Sequence, residues 1–375
     1  MSEVSEPLAA LNRDAGAMRR DISVRVRRGA EYLVIPLIAL LVSAFLFSLF
    51  LLAIGKSPAD FFDLVLRGGF GSAFSIQNTL QRSAPLILTA LAVAIPARIG
   101  LVMIGGEGAL VLGGFASAAI AIPMIGVAPP VLTLLVMAVV GALVGAIWIG
   151  IAGALRHWRG VNETISSLLL TYIGVAIMNF FVEGALRDLT NPNKPSTKPL
   201  GDAYMLGKIP GTDVHWGFVV GIIVALLLHV LMTRTTFGFA ARMTGGNPRA
   251  ALAQGLPVGA LMVSCCALAG ACAGLAGFFE VAAIQGRANA SLAAGYGFTG
   301  ILVAFLARHN PVAIIFVAIM FGGIVAAGGL IQRRMDMPDA TVLLLQGLTF
   351  VVLLVSETLY GRFAIFRVDE KGDRT

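Results

Sequence analysis

Charged residues are scarce in this chain. Asp, Glu, Lys and Arg make up only 13% of its 375 residues, whereas soluble domains carry about 25%. Hydrophobic residues reach 58%, and the mean hydropathy is +0.89. This composition excludes a soluble globular domain, and the long apolar runs predict an all-α polytopic membrane protein.

Cysteine and histidine are also few. The three cysteines, Cys265, Cys266 and Cys272, lie in one apolar run and have neither metal-ligand nor disulfide spacing. We interpret them as small buried hydrophobic side chains. The four histidines are scattered, so no nucleophile with a base and no metal cluster indicates an enzyme. We therefore expect no catalytic residues and no metal.

The chain is basic, with a net charge of +7 and a pI of about 9.7. Its lysines and arginines are spread over many short loops, as membrane topology places them, so we expect no nucleic-acid partner. The N-terminal segment is polar and arginine-rich, and the first apolar run is too long for a signal peptide.

Polar loops divide the apolar sequence into about ten elements, and we expect eight to ten transmembrane helices, broken or re-entrant elements included. A span needs about 20 apolar residues, so 84–97 is short and 298–307 is expected to be half of a broken or re-entrant element. Residues 55–83 predict an amphipathic connection on the outer surface. The predicted elements are 32–54, 84–97, 101–126, 131–155, 164–186, 216–232, 258–284, 298–307, 312–330 and 341–360.

The membrane domain is predicted at 32–360, between tails at 1–31 and 361–375. Most lysines and arginines fall on the side of the N-terminus, and cytoplasmic loops are enriched in these residues. Both tails are therefore predicted to be cytoplasmic, with 187–214 as a long outer loop. The arginines before the first element are Arg13, Arg19, Arg20, Arg25, Arg27 and Arg28.

Residues 99–112, IGLVMIGGEGALVL, place one carboxylate among glycines in an apolar run. A charge at the bilayer centre costs roughly 2.5–3.5 kcal/mol, and glycines weaken a helix. We expect an irregular, polar point at membrane depth, such as those that line transport pathways. The candidate pathway residues are Glu107, Gly105, Gly106 and Gly108. An ion pair with Arg98, or a backbone cap, is the structural alternative for Glu107.

Other polar residues in the apolar elements are weaker candidates. Tyr172 and Asn179 could hydrogen-bond a polar substrate between helices, although bundle packing explains them equally well. Glu280 is also a candidate for the pathway. Its structural alternative is a carboxylate that snorkels to the membrane interface. Asn162 and Glu163 are expected to cap a helix.

Two small-xxx-small patterns, Gly141-xxx-Gly145 and Gly270-xxx-Gly274, favour close approach of helices. Ordinary packing within one bundle is the expected explanation. A dedicated dimer face is the alternative.

The segment 237–257 predicts a short helix between two spans. Gly245 and Gly246 end the preceding helix, Asn247 is suited to the N-cap, and Pro248 to the first helical position. The helix is predicted at 249–254, ended by Gly255 and Pro257.

Four motifs together resemble those of a known family: the permease subunits of bacterial ABC importers for nucleosides and simple sugars. That family belongs to a larger group that also holds branched-chain amino-acid permeases. The resemblance covers about residues 32–360. The family patterns FNIGAEGQ, VNE-x-I-S, G-x-N-P-x-A-A-x-x-x-G and GYGF-x-GI correspond to 102–109, 161–166, 245–255 and 295–301. Val102, Met103 and Ala109 depart from the first pattern.

The resemblance implies a transport subunit with no ATPase activity of its own, in the bacterial cytoplasmic (inner) membrane. The implied partners are an ABC ATPase that binds the ATP, a second homologous permease, an extracytoplasmic substrate-binding protein and membrane lipid; no cofactor is implied for this chain. Gly55-Lys56-Ser57 matches the end of a phosphate-binding loop, but Phe50 stands where its first glycine belongs. The implied coupling residues are Asn247, Pro248, Arg249, Ala250, Ala251, Gln254 and Gly255.

Two alternative functions remain at this point. One is a branched-chain amino-acid ABC permease. The other is a stand-alone secondary transporter, which needs several intramembrane acids or histidines for ion coupling. In this sequence only Glu107 and Glu280 are suitable, which favours the ABC permease.

Overall fold

The computed structural model describes residues 34–191, 193–338 and 340–357, and these contain helices and two isolated β-bridges but no strand. The chain divides into two compact units, with the ends of the chain in one and residues 59–342 in the other. The helices are α1 Val34–Ala53, α2 Pro58–Phe70, α3 Ala73–Ala97, α4 Gly106–Ala121, α5 Pro130–Arg159, α6 Glu163–Glu183, α7 Gly217–Arg234, α8 Thr236–Gly246, α9 Pro248–Ala253, α10 Val258–Phe279, α11 Tyr296–Leu306, α12 Pro311–Met335 and α13 Ala340–Glu357.

Within the described residues, eight helices are long and apolar enough to cross a membrane: α1, α3 to α7, α10 and α12. Helix α10 continues into a π-helical turn at Glu280–Gln285. Helices α11 and α13 are shorter apolar elements. The prediction of an all-α polytopic membrane protein is confirmed, and α11, with 11 residues, is too short to span a bilayer alone. The predicted tails at 1–31 and 361–375 lie outside the described residues.

The predicted boundary at residue 84 is wrong, because α3 begins at Ala73 and runs for 25 residues. Its first half looks too polar for a span, but its hydroxyls are satisfied by nearby backbone. Thr79 Oγ1 donates to the Gly69 carbonyl at 2.7 Å, and Ser83 Oγ donates to the Thr79 carbonyl at 2.6 Å. Residues 55–83 are therefore helix α2 plus the first half of α3, in which Thr79 and Ser83 are the buried residues, and not one surface connection.

Helix α10 packs against α3, α4 and α5, and its contact with α5 is made by glycines. A Cβ atom added at Gly270 would lie 2.7 Å from the Gly145 carbonyl carbon, and one at Gly274 would lie 2.9 Å from that of Gly141. The two small-xxx-small patterns therefore pack against each other inside the bundle. The alternative of a dedicated dimer face is wrong for these four glycines.

This close contact predicts that Gly274→Ala lowers the thermal stability of the purified protein. Overpacking a well-packed core costs typically about 1–3 kcal/mol. Gly329→Ala in α12 is the matched control, because a Cβ there meets nothing within 4 Å and alanine favours a helix by roughly 0.5–1 kcal/mol over glycine. A melting temperature of Gly274→Ala equal to that of the wild type would contradict the packing.

The long loop after α6 is folded back onto the end of α10. Leu206 N donates to the Ala282 carbonyl at 2.7 Å, and Leu200 N donates to the Gly286 carbonyl at 2.9 Å. Gln81 of α3 donates to the Asp213 carbonyl at 2.5 Å. We call this the loop end of the central unit. The opposite end carries α8 and α9.

The terminal unit contains α1 and most of α13. Ser43 and Thr349 share a hydroxyl–hydroxyl hydrogen bond of 3.2 Å between the two helices. Gly55 ends α1 with φ +73°, and Lys56 N donates to the Leu51 carbonyl. Residues 55–57 therefore form a helix C-cap turn and not a phosphate-binding loop between a strand and a helix.

Candidate functional site

The predicted break lies between α3 and α4. Helix α3 ends at Ala97, and α4 begins at Gly106 with Gly105 as its N-cap. The glycines here allow α6 to approach: a Cβ at Gly105 would lie 2.9 Å from Ser167 Cβ, and one at Gly108 would lie 2.6 Å from Thr171 Cα. The irregular point that the sequence predicts is therefore present, and it is enclosed by α6.

Glu107 binds the backbone at the start of α11. Its side chain is buried, with 2% exposure. Oε1 accepts a hydrogen bond from Gly295 N at 2.7 Å, and Oε2 accepts one from Gly297 N at 2.5 Å. The first N–H groups of a helix lack intrahelical partners and carry partial positive charge. Glu107 therefore caps α11 from another helix, which is the backbone-cap alternative for this residue.

Arg98 does not pair with Glu107 in the structure. Its Nη2 donates instead to the His309 carbonyl, at 3.0 Å, in the turn between α11 and α12. The ion-pair alternative for Glu107 is wrong. Glu107 and Arg98 contact the two opposite ends of the same short helix.

A second carboxylate lies near Glu107. Glu280, at the start of the π-helical turn, is only 3% exposed, so the snorkelling alternative is wrong. Its neighbours include Arg82 and Tyr296, and Arg82 Nη1 donates to Tyr296 Oη at 3.4 Å. We call Arg82, Glu107, Glu280 and Tyr296 the central polar cluster. It lies where α3, α4, α10 and α11 meet.

The sequence interpretation misses two members of this cluster. Arg82 falls in the segment assigned to the outer surface, although an ionisable residue within a span is itself a functional signal. Tyr296 belongs to the GYGF-x-GI pattern, but no role is derived for it. The Thr89 hydroxyl lies within hydrogen-bond distance of both the Pro85 carbonyl (2.9 Å) and the Tyr296 carbonyl (3.1 Å), so α11 packs directly against α3 here.

Tyr172 and Asn179 lie on α6, away from the buried face of that helix. Tyr172 is 65% exposed, and Asn179 is half-buried. Thr171, the neighbour of Tyr172, is the residue that faces α4. The structure does not place Tyr172 in the central polar cluster, and a substrate role for either residue stays a prediction.

Helix α9 is the exposed feature at the other end of the central unit. Asn247 Oδ1 accepts hydrogen bonds from Arg249 N and Ala250 N, both at 3.1 Å, and Pro248 occupies the first helical turn. Ala251 is fully buried, whereas Arg249 is exposed. The other exposed members of the predicted coupling set are Asn247, Pro248, Ala250, Gln254 and Gly255.

The remaining sequence predictions concern structure. Asn162 caps α6, with Oδ1 accepting from Thr164 N at 2.9 Å and Ile165 N at 3.1 Å, as expected. Glu163 forms a 3.4 Å ion pair with Arg156. The three cysteines are buried in α10 and form no disulfide, which confirms their interpretation as core residues.

Comparison with known proteins agrees with the motif evidence. The sequence profile of the family described as "Branched-chain amino acid transport system / permease component" matches residues 75–354. The glucose ABC transporter permease protein TsgB13 of Haloferax volcanii is 33% identical over 350 residues, covering 90% of this chain and 91% of the relative.

Two further relatives have names of the same kind. The guanosine ABC transporter permease protein NupP of Bacillus subtilis is 27% identical, covering 91% of this chain and 98% of its own length. The nucleoside ABC transporter permease protein NupB of Lactococcus lactis is 30% identical, with 76% and 81% covered. With its bundle of spans and its four motifs, this chain belongs to the branched-chain amino acid transport system / permease component family.

Proposed function

We propose that this chain forms the translocation pathway of an ABC importer for a nucleoside-like or simple-sugar solute, and that a separate ATPase drives it. The relatives are named for glucose, guanosine and nucleosides, so neither the branched-chain amino-acid alternative nor the stand-alone secondary transporter is favoured. The chain itself is the membrane subunit, without nucleotide-binding motifs.

The observation that carries this proposal is the exposure of α9. A six-residue helix is too short to be stable by itself, and α9 buries only Ala251, so its presence points to a role beyond stability. Its exposed side chains lie between two membrane spans, at the end opposite the folded loop. In our proposal the ATPase docks on α9, and both tails lie on that cytoplasmic side.

The central polar cluster supports a pathway built around a half-helix. Discontinuous helices place backbone termini at membrane depth in many transporters. In our proposal the N-terminus of α11 is such a terminus, and the Glu107 carboxylate accepts hydrogen bonds from its N–H groups. Glu107 therefore positions α11 in our proposal, and movement of α11 would alternate access to the two sides.

The other partners follow from the exposed surfaces. The loop end would receive an extracytoplasmic substrate-binding protein. The outward faces of α5 and α6 expose large apolar side chains at membrane depth, which suit lipid or a second homologous permease. Among these side chains are Leu135, Leu143, Ile147, Leu169 and Phe180. We place the complex in the bacterial inner membrane.

Reconstitution tests the proposal directly. The purified chain alone in liposomes should accumulate no labelled guanosine, glucose or leucine against a gradient. The chain with its ATPase, second permease and binding protein should accumulate guanosine or glucose when ATP is supplied, and not with a non-hydrolysable analogue. Uphill accumulation by the chain alone would overturn the proposal, and accumulation of leucine alone would overturn the solute class.

A further inference from the structure

Helix α8, which leads directly into α9, rests on the end of α3 without any side chain between them. Gly245 is two residues before the Asn247 cap of α9. A Cβ atom at Gly245 would lie 3.1 Å from Ile99 Cα, and one at Gly100 would lie 3.6 Å from the Gly245 carbonyl oxygen. Because the two backbones are in direct contact, a displacement of the last turn of α8 toward the end of α3 pushes on residues 98–100.

Helix α8 is also fastened to the helix before it. The Arg242 guanidinium donates to the Met232 carbonyl near the end of α7, and Thr235 Oγ1 accepts from Gly238 N at 3.3 Å, which caps α8. Helices α8 and α9 therefore contact the ends of α7 and α3, and both also pack against α10.

Arg98 extends this contact to α11. Its backbone caps the C-terminus of α3, and its guanidinium donates to the His309 carbonyl at 3.0 Å. This Arg98–His309 hydrogen bond joins the end of α3 to the α11–α12 turn. A group that moves with α8 is thus bonded to the turn that follows α11.

The α11–α12 turn is tight and conformationally defined. Arg308 and His309 have φ values of +51° and +55°, a region that non-glycine residues occupy only when the surrounding structure holds them there. His309 N donates to the Ala304 carbonyl at 2.8 Å, and the His309 ring meets the Phe305 ring edge-on at 4.9 Å. Burial and the neighbouring arginines lower the pKa of His309 to about 4, so its ring is neutral at physiological pH. The turn should therefore move together with α11.

The other end of α11 is bonded to Glu107. Since an 11-residue helix is about 16 Å long, α11 joins the Arg98 contact to the central polar cluster in one rigid element. The contacts form a continuous series from α9 through α8, residues 98–100 and the α11–α12 turn to Glu107.

We propose that Arg98 is a positioning residue that transmits movement of α8 and α9 to the half-helix α11. This inference rests on the proposed function, in which an ATPase docks on α9. It assigns to Arg98 neither contact with the solute nor contact with the ATPase. Its role is to make α11 follow the coupling helix.

The test compares ATP hydrolysis with solute transport in proteoliposomes that hold the complete importer. Arg98→Gln should leave assembly and thermal stability near wild type, while solute moved per ATP hydrolysed falls by about tenfold or more, within the usual range of coupling effects. Arg98→Lys, which retains a donor, should restore part of the ratio. Arg159→Gln, an exposed arginine at the same end of the bundle, is the matched control and should change the ratio by less than about twofold.

Two outcomes would overturn the inference. One is an unchanged ratio of transport to hydrolysis in Arg98→Gln. The other is a parallel loss of transport and hydrolysis in an Arg98→Gln complex that is folded and assembled, which would indicate a purely structural role. If Arg98→Gln does not fold, Gly245→Ala is the deciding variant. A Cβ atom there would overlap the Arg98 carbonyl oxygen, so α8 must shift away from residues 98–100, and the same ratio should fall. A wild-type ratio in Gly245→Ala would then refute the link.

Failure of this inference is distinguishable from failure of the proposed function. ATP-dependent uptake by the wild-type complex, combined with a normal ratio in Arg98→Gln, would refute only the role of Arg98. Absence of ATP-dependent uptake by the wild-type complex would refute the proposed function itself.

Discussion

Replacing residues 247–254 with a Gly/Ser linker of the same length is expected to abolish ATP-dependent uptake while the chain still inserts in the membrane. Isolated helices shorter than about 12 residues are marginal in water, so α9 depends on the Asn247 cap, Pro248 and the buried Ala251. The linker removes all three supports and the docking surface with them. Uptake of labelled solute and co-purification of the ATPase measure the effect.

Single substitutions at residue 247 test whether uptake needs the helix cap of α9 or the asparagine itself. Asn247→Ala removes a cap worth about 0.5–2 kcal/mol and should reduce uptake severalfold, whereas Asn247→Ser should retain most of it because serine also caps. Asn162→Ala is the matched control. It removes the same kind of cap from α6, whose 21 residues hold the helix without it, so uptake should change by less than about twofold.

Uptake at the wild-type rate in the linker variant would refute the coupling role of α9. If the linker variant fails to insert, Asn247→Ala and Asn247→Ser still test the role, because both leave the chain length and the adjacent spans unchanged. Equal uptake in these two variants would show that the cap has no functional importance.

Helix α9 could be predicted from sequence because its signals are local. An Asn-Pro pair starts it, a glycine with φ +79° follows it, and no distant partner is needed to recognise either. Pro248 occupies the predicted first helical position, and the predicted end at 254 differs from the observed end at Ala253 by one residue, which is within ordinary variation of helix ends. Local chemistry was sufficient for this element.

The first half of α3 could not be predicted in the same way. Hydropathy counts Thr79 and Ser83 as polar, but their hydroxyls bond to backbone carbonyls of α2 and α3 and are buried. Which hydroxyl finds such a partner depends on the packing of α2 against α3. A hydropathy average over single residues does not include the packing between helices.

The central polar cluster could be predicted only in part from the sequence. The sequence predicts a polar, irregular point at Glu107, because a carboxylate among glycines is unusual in an apolar run. It does not identify the partner, since Gly295 is 188 positions away in the chain. The Arg98–His309 bond, separated by 211 positions, is hidden for the same reason.

Glu107→Gln is expected to lower both thermal stability and transport. The amide offers one acceptor oxygen where the carboxylate offers two, and its NH2 group faces a backbone N–H donor. Leaving a buried donor unsatisfied costs about 1–3 kcal/mol, and hydrogen bonds to a charged group contribute more than neutral ones. We expect a loss of roughly 2–4 kcal/mol, on that basis, measured as a fall in the unfolding midpoint.

The pattern of kinetic change separates a helix cap from a solute ligand. If Glu107 positions α11, the maximal uptake rate should fall together with stability, while the KM for the solute changes little. If the carboxylate binds the solute, KM should rise without a loss of stability. Asp63→Asn is the matched control, because Asp63 makes an exposed ion pair with Arg67 in α2 and such pairs contribute little. Wild-type stability in Glu107→Gln would refute the cap, since the Gly295 and Gly297 N–H groups at the start of α11 both donate to this one side chain.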